Sequence, residues 1–326
     1  MLPADASGML LAFPLVVLVV LGAGIYTTTV IDRFIGSVIA HAPLRLRHII
    51  AGPLRDAALL LLQQRSETER PDARVWALAP ALLGGVAAAT LAAIPVSSTL
   101  GRASATSEMS SGIVYFGAAM AIVMVAVYLE GWAPNSVMPL IGGYRFVAQA
   151  LSYEMPLALV LIATALPAES LSVADIVRSQ HSVWNIVRQP LGLPLYLIAT
   201  SGLAFWGPLN LPDGADLVGG TMAECSGAPL LLWKASRAAV LVAAAAMGAA
   251  TFLGGWLGPW LPGLPWMALK TLALVAVIVG AGHLIGRVRL ERFVVFSWTV
   301  LIPLALADVF LSGVLALWAG GHGAAQ

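Results

Sequence analysis

Charge is scarce in this sequence and cysteine almost absent. Only 10% of the 326 residues are Asp, Glu, Lys or Arg, against about 25% in soluble domains. That excludes an ordinary water-exposed globular surface. A net charge of +1 argues against nucleic acid as a partner. The single cysteine, Cys225, excludes a disulfide framework and a cysteine-ligated cluster or zinc site. His41, His48, His181, His283 and His322 show no metal-ligand spacing, and no dinucleotide or phosphate loop is present. Redox chemistry would therefore need a diffusible cofactor or partner subunits. No basic segment precedes the first apolar run, which reads as a retained span rather than a cleaved signal.

What the chain has is hydrophobic length: 60% of its residues are hydrophobic and its mean hydropathy is +0.90. A spanning helix needs about 20 mostly apolar residues. Counting between charges predicts eight, near residues 9–31, 75–99, 109–129, 146–167, 189–208, 235–256, 265–286 and 293–318. The Gly/Pro-rich "GGWLGPWLPGLP" divides the long apolar run 238–269 as a tight turn. The expected fold is thus an all-α integral membrane protein of about eight transmembrane helices plus interfacial amphipathic helices. Residues 1–326 form a single polytopic membrane domain, with inner loops at about 32–74, 130–145, 207–234 and 286–292. With the N-terminus outside, thirteen of the seventeen basic residues face inward, leaving only Arg102, Arg178, Arg188 and Lys270. That asymmetry fits the positive-inside rule and puts both termini on the outer side.

Two further segments read as helices lying on the membrane. "PLRDAALLLLQQR", 53–65, has Pro53 at a plausible first helical position and too few apolar residues to span. "SVADIVRSQHSVWNIVR", 172–188, carries Ser172 and Asp175 in capping-box spacing. Its Val173, Ile176, Val177, Val183, Trp184 and Val187 recur at helical intervals opposite Arg178, His181 and Asn185, the pattern of an outer amphipathic helix.

A charge at the centre of a span costs roughly 2.5–3.5 kcal/mol on insertion scales, so each one calls for a reason. In "FVAQALSYEMPLALVLIATAL", 146–166, Gln149, Tyr153 and Glu154 precede a purely apolar run, with Arg145 just upstream. A carboxyl poised between burial and a guanidinium can exchange protons near neutral pH; a solvated, structurally paired Glu is the alternative. Glu130 closes the third span, and a short inner loop would let Glu130, Arg145 and Glu154 approach one another, unless Glu130 simply snorkels to the interface. Asp213, Asp216 and Glu224 make 207–234 the one acidic inner segment, either a shaped functional loop or a flexible solvated one. Arg287, Arg289, Glu291 and Arg292 crowd the inner end of the seventh span, where they could line a polar pocket, dock a partner, or only anchor the helix.

"AQALSYEMPLALVL" resembles the fourth-helix signature of subunit 1, the H-type membrane subunit, of proton-pumping NADH–quinone oxidoreductase (respiratory complex I). The likeness continues in order through "GWAPNSVMPLIGGYRFVAQALSYE", "SVADIVRSQHSVWNIVRQPLG", "LPDGADLVGG" followed by "AECSG", "LPWMALKT" and "GRVRLERFVVFSW". The resemblance implies a subunit that forms most of a quinone chamber beside a soluble iron–sulfur arm and starts a proton path. By that resemblance Glu154, Glu130, Asp213, Asp216 and Glu224 belong to the proton path. Arg145, Gln149, Tyr153, Arg33, Arg45, Arg287, Arg289 and Glu291 belong to the quinone chamber or its adjoining wall, and the 53–65 helix borders the opening through which quinone enters. It implies ubiquinone or menaquinone as substrate, no covalently bound cofactor, and iron–sulfur clusters only in partner subunits. The implied partners are the peripheral-arm iron–sulfur and quinone-site subunits, antiporter-like and small membrane subunits, and the lipid of a bacterial inner membrane. The isolated chain would have no enzyme activity.

The departures are specific. Ile31 stands where the family carries an acid, leaving Arg33 and Arg45 with His41; Asn210 replaces an Asp; "WKASRAA" lacks the family's Glu; Glu130 appears where the pattern is uncharged. Glu130 is therefore expected to take over part of the missing acid's role. The same fold serves energy-converting hydrogenases and formate hydrogenlyases, whose anchor protein works without quinone. That anchor, a passive scaffold and an independent ion transporter are the other readings.

Overall fold

The structure, a computed structural model, describes residues 4–41, 43–66, 68–95 and 109–323. The 96–99 end of the second expected span and Arg102 lie outside the described residues. The helices are α1 (Ala4–Ile39), α2 (Leu46–Leu62), α3 (Ala73–Ala93), α4 (Gly112–Trp132), α5 (Val137–Ala165), α6 (Val173–Ser179), α7 (Asn185–Arg188), α8 (Gly192–Leu203), α9 (Gly227–Phe252), α10 (Gly263–Leu284), α11 (Leu290–Phe296) and α12 (Ile302–Gly323). No β-strand occurs among the described residues. The chain is an all-α integral membrane protein.

Among the described residues seven segments are long and apolar enough to cross a bilayer, the last running from α11 through one π-helical turn at Ser297–Leu301 into α12. The turn coincides with a hydrogen bond from the Ser297 hydroxyl to the Ser152 carbonyl of α5. The fifth expected span is met by α8, whose 12 residues reach only ~18 Å. Gly192 packs against Phe252, the last residue of α9, whereas Gly207 packs against Gly282 near the last turn of α10. Because α9 and α10 are successive spans, those points lie at opposite ends of the bundle. The non-helical stretch after α8 completes the crossing. The helix ends as Phe205 takes φ +40°, and Gly207 at φ +64° followed by Pro208 keeps it from resuming. Leu209 and Leu211 are buried in protein, the condition under which irregular backbone is tolerated at membrane depth.

Other boundaries move because hydropathy stops at a charge while helical hydrogen bonding does not. α5 begins at Val137, ahead of Arg145, so the expected 130–145 loop is only the turn at residues 133–136, and Glu130 lies inside α4. α2 starts at Leu46, with Pro53 in its interior rather than at its first position. The outer amphipathic segment is two short helices, α6 and α7, not one. Ser172 makes no side-chain cap; Ser170 instead donates to Asp175 and accepts from the Ser172 amide. Asn185, read as polar-face, is fully buried and donates to Thr251, while Val187 on the supposed packed face is 70% exposed.

α9 is the most enclosed of the long helices, packed against α1, α3, α8 and α10. Its Ala-rich run 238–250 lets backbones approach closely. Polar side chains tie it in: Ser236 Oγ donates to Pro80 O at 2.9 Å and Tyr196 Oη to Ala244 O at 2.7 Å. This central helix carries Arg237 to the charged end of the bundle.

Candidate functional site

At that charged end a cavity of about 650 Å³ opens between α1, α2, α9, α10 and the segment after α8. Its wall is mixed. Gly22, Ile25, Leu54, Ala57 and Leu60 of α1 and α2 are apolar, the same two helices add Tyr26, Asp32, Arg33 and Asp56, and Trp206, Asn210, Lys234, Arg237 and Arg287 bring further polar groups. Arg33 of α1 pairs with Asp56 of α2. A β-carbon at Gly52 would collide with that guanidinium, so the glycine lets α2 lie against it. His283 of α10 meets Asp32 of α1 at 3.0 Å.

Arg237 is the best-held group of the wall, with its side chain only 11% exposed. It contacts Asp213 Oδ2 at 3.1 Å and donates to Phe205 O at 2.5 Å. Its guanidinium carbon lies 4.8 Å from the Phe205 ring centroid and 4.6 Å from that of Trp206, positions that favour cation–π attraction. With its amide turned to suit its neighbours, Asn210 donates to Phe205 O and accepts from Arg237. One arginine thus fixes the chain where α8 ends.

The 204–226 segment has local structure of its own. Short 3-10 turns at Gly207–Leu209, Ala215–Leu217 and Gly220–Met222 fold it against α5 and α10. Gly220 has φ +58°, and a β-carbon there would overlap the Pro212 carbonyl. Asp213 is wholly enclosed and accepts from Thr221. Burial pushes its carboxyl above the ordinary value, against the opposing pull of Arg237 and of the Thr221 hydroxyl. Asp216 is the reverse. Exposed on the same segment, it is held below the usual carboxylate range, chiefly by the hydrogen bond from Arg145, with Oδ1 3.7 Å from Arg287. A lowered folded value gives stability present above the unfolded value of about 3.9 and lost as pH falls through the folded one. Amide protection in 212–222, taken as exchange relative to the intrinsic rate at each pH, is therefore expected to fall as pH drops below ~4; unchanged protection would show that Asp216 does not fasten the segment.

The remaining sequence-chosen residues divide. Glu130 of α4 is 1% exposed. Its Oε1 accepts from Trp76 Nε1 of α3 at 3.0 Å, while Oε2 is buried without a hydrogen-bond partner. Cys225 lies beside Glu130; burial, with that carboxylate next to it, pushes the thiol up to about 12, so it is not a nucleophile. Glu224 accepts from Ser136 at 2.9 Å. Gln149 is buried and donates to Gly202 O and Leu209 O, bracing the end of α8. Tyr153 is buried and packs against Phe146. Glu154 is half-buried, and its Oε1 has no hydrogen-bond partner.

The expected meeting of Glu130, Arg145 and Glu154 does not occur: among the described residues no hydrogen bond or ion pair joins them. Glu130 is turned toward Trp76 and Cys225, and Arg145 toward Asp216. Of the expected chamber residues, Arg33 and Arg287 line the cavity, and Arg145 does not but shares Asp216 with Arg287. Gln149, Tyr153, Arg45, Arg289 and Glu291 do not line it; Arg45 flanks the start of α2, and Arg289 and Glu291 are exposed around the start of α11. The sequence reading missed Asp32, Asp56, Trp206, Lys234 and Trp76. Nothing in their local pattern singled them out, since each gains its place from a helix distant in sequence.

The model of the family described as NADH dehydrogenase matches residues 11–313. The second H-type subunit of the NADH-quinone oxidoreductase of Rhodopseudomonas palustris is 32% identical over 263 residues, 80% of this chain and 81% of the relative. The corresponding H-type protein of Geobacillus kaustophilus is 34% identical over 269 residues, covering 81% and 79%. That of Brevibacillus brevis is 31% identical over 324 residues, covering 96% and 94%. A match running through every spanning helix, on a chain folded around a charged cavity, leaves one assignment: this protein belongs to the NADH dehydrogenase family, the H-type (subunit 1) membrane subunits of complex I.

Proposed function

We propose that this protein binds a quinone head group in the α1–α2–α9–α10 cavity and passes the charge change of its reduction to buried carboxylates that move protons. The observation that carries the reading is the mixed wall. Its apolar residues, among them Ile25, Leu54 and Leu60, suit a hydrocarbon tail, and its polar groups, Arg237 and Arg287 among them, suit an oxygen-bearing ring. Each of those arginines is bonded or paired to a carboxylate on the 204–226 segment. Reduction adds negative charge to the quinone. Arg237 and Arg287 would then attract that charge and relax their hold on Asp213 and Asp216, whose protonation shifts in answer. Asp213 is within electrostatic range of Glu130, which makes Glu130 the next carrier, and Glu154 and Glu224 lie on the α5 side of the same segment.

Electrons would come from iron–sulfur clusters in partner subunits of the peripheral arm, and protons would leave toward antiporter-like membrane subunits. The protein sits in a bacterial inner membrane, with both termini on the outer side and the cavity facing inward. An azido-benzoquinone irradiated in the assembled complex tests the reading. Label is expected in peptides containing Trp206–Asn210 or Leu231–Arg237, displaced by excess quinone. Displaceable label confined to other subunits would contradict it.

A further inference from the structure

The basic groups of the cavity wall are not equivalent. Arg33 is paired with Asp56, Arg237 with Asp213, Arg287 faces Asp216, and His283 contacts Asp32. Lys234 lines the same cavity, three residues before Arg237 and on the same side of α9, and is exposed. Among the described residues no hydrogen bond or ion pair engages its ammonium; Asp213 and Cys225 feel its charge only at longer range. Each arginine of the wall already has a carboxylate partner, whereas Lys234 has three N–H donors and none. It is the cation in the cavity able to bond a newcomer without breaking an existing pair.

We infer that Lys234 anchors and selects the head group, donating to a ring carbonyl oxygen of a quinone seated in the cavity. The inference rests on the cavity being the quinone site and adds the residue that reads the ligand's oxygen. The four-carbon stem suits this role, since it brings a compact, mobile charge to the oxygen. A solvated lysine that only fits the charge bias of this membrane face would have no influence on which ligand binds.

The test uses the assembled complex with decyl-benzoquinone as probe, measuring its Kd together with KM and kcat. Lys234→Met is expected to raise Kd and KM about tenfold, the loss of one hydrogen bond to a charged donor, with kcat nearly unchanged. Lys234→Arg should recover most of the affinity. Sodium laurate, an anionic amphiphile, should compete against wild type and lose that competition in Lys234→Met. Unchanged Kd and KM in a Lys234→Met complex that binds the probe would overturn the role of Lys234 and leave the quinone cavity standing. Weakened laurate with unchanged quinone affinity would overturn it too, marking the lysine as a lipid contact. If the wild-type complex binds no probe, the cavity reading itself falls, and the inference with it.

Discussion

Methionine in place of Arg237 is expected to be the most damaging single change in this protein, lowering its stability in the assembled complex by about 3–5 kcal/mol. The substitution removes the partner of a fully enclosed carboxylate and the donor to Phe205 O, and it strips the cation from two aromatic rings. Most of the cost comes from Asp213 being left buried and alone. The pH dependence follows. Burial already raises the Asp213 carboxyl, and an acid whose folded value is raised contributes stability that is present at low pH and lost as pH rises through that value. Without Arg237 the value rises further, so the deficit of Arg237→Met should grow with pH. Pairing it with Asp213→Asn, which keeps an acceptor for Thr221, should recover much of the stability and flatten the pH dependence. Thermal melting of the four proteins at several pH values checks both points, and a lone Arg237→Met that melts like wild type would show the pair to be incidental.

Glutamine at position 130 is expected to have the largest effect on coupling with the least on structure. The amide oxygen can still accept from Trp76 Nε1, so the α3–α4 contact survives. The orphan Oε2 becomes an NH2 group, and the site can no longer take or release a proton. Removing a positioned proton carrier typically costs 10²–10⁴-fold in the proton-transfer step; a drop of about tenfold or more in quinone-linked proton uptake is therefore the expected result. Subunit content and melting should be those of wild type. Normal proton uptake by Glu130→Gln would return Glu130 to a structural role beneath Trp76.

Much of this was legible in the chain itself, and the reasons are physical. Seven spans are readable because twenty apolar residues with no charge have few other fates. The resemblance carried the family because its motifs are local runs in fixed order. Hydropathy counting failed where helices continue past a charge, as α5 does through Arg145, and where a crossing is finished by buried irregular backbone, as after α8. The site was half legible. Glu130 could be suspected as an acid at the end of a span, Asp213 as part of the one acidic inner segment, and Arg237 as the charge inside the sixth span. Their partners could not, because Arg237–Asp213, Arg145–Asp216 and Arg33–Asp56 join segments 24, 71 and 23 residues apart. The capping-box spacing at Ser172 misled for a related reason: Ser170, two residues earlier, is the side chain that reaches Asp175.

Acids enclosed in the helices are expected to turn over protons when the cavity's ligand is reduced. The direct measurement is the membrane potential built by the complex in sealed vesicles with Glu130 and Glu154 both changed to Gln, at matched rates of quinone reduction. A potential collapsed well below that of wild type is the predicted outcome. A wild-type potential from the double variant would contradict it.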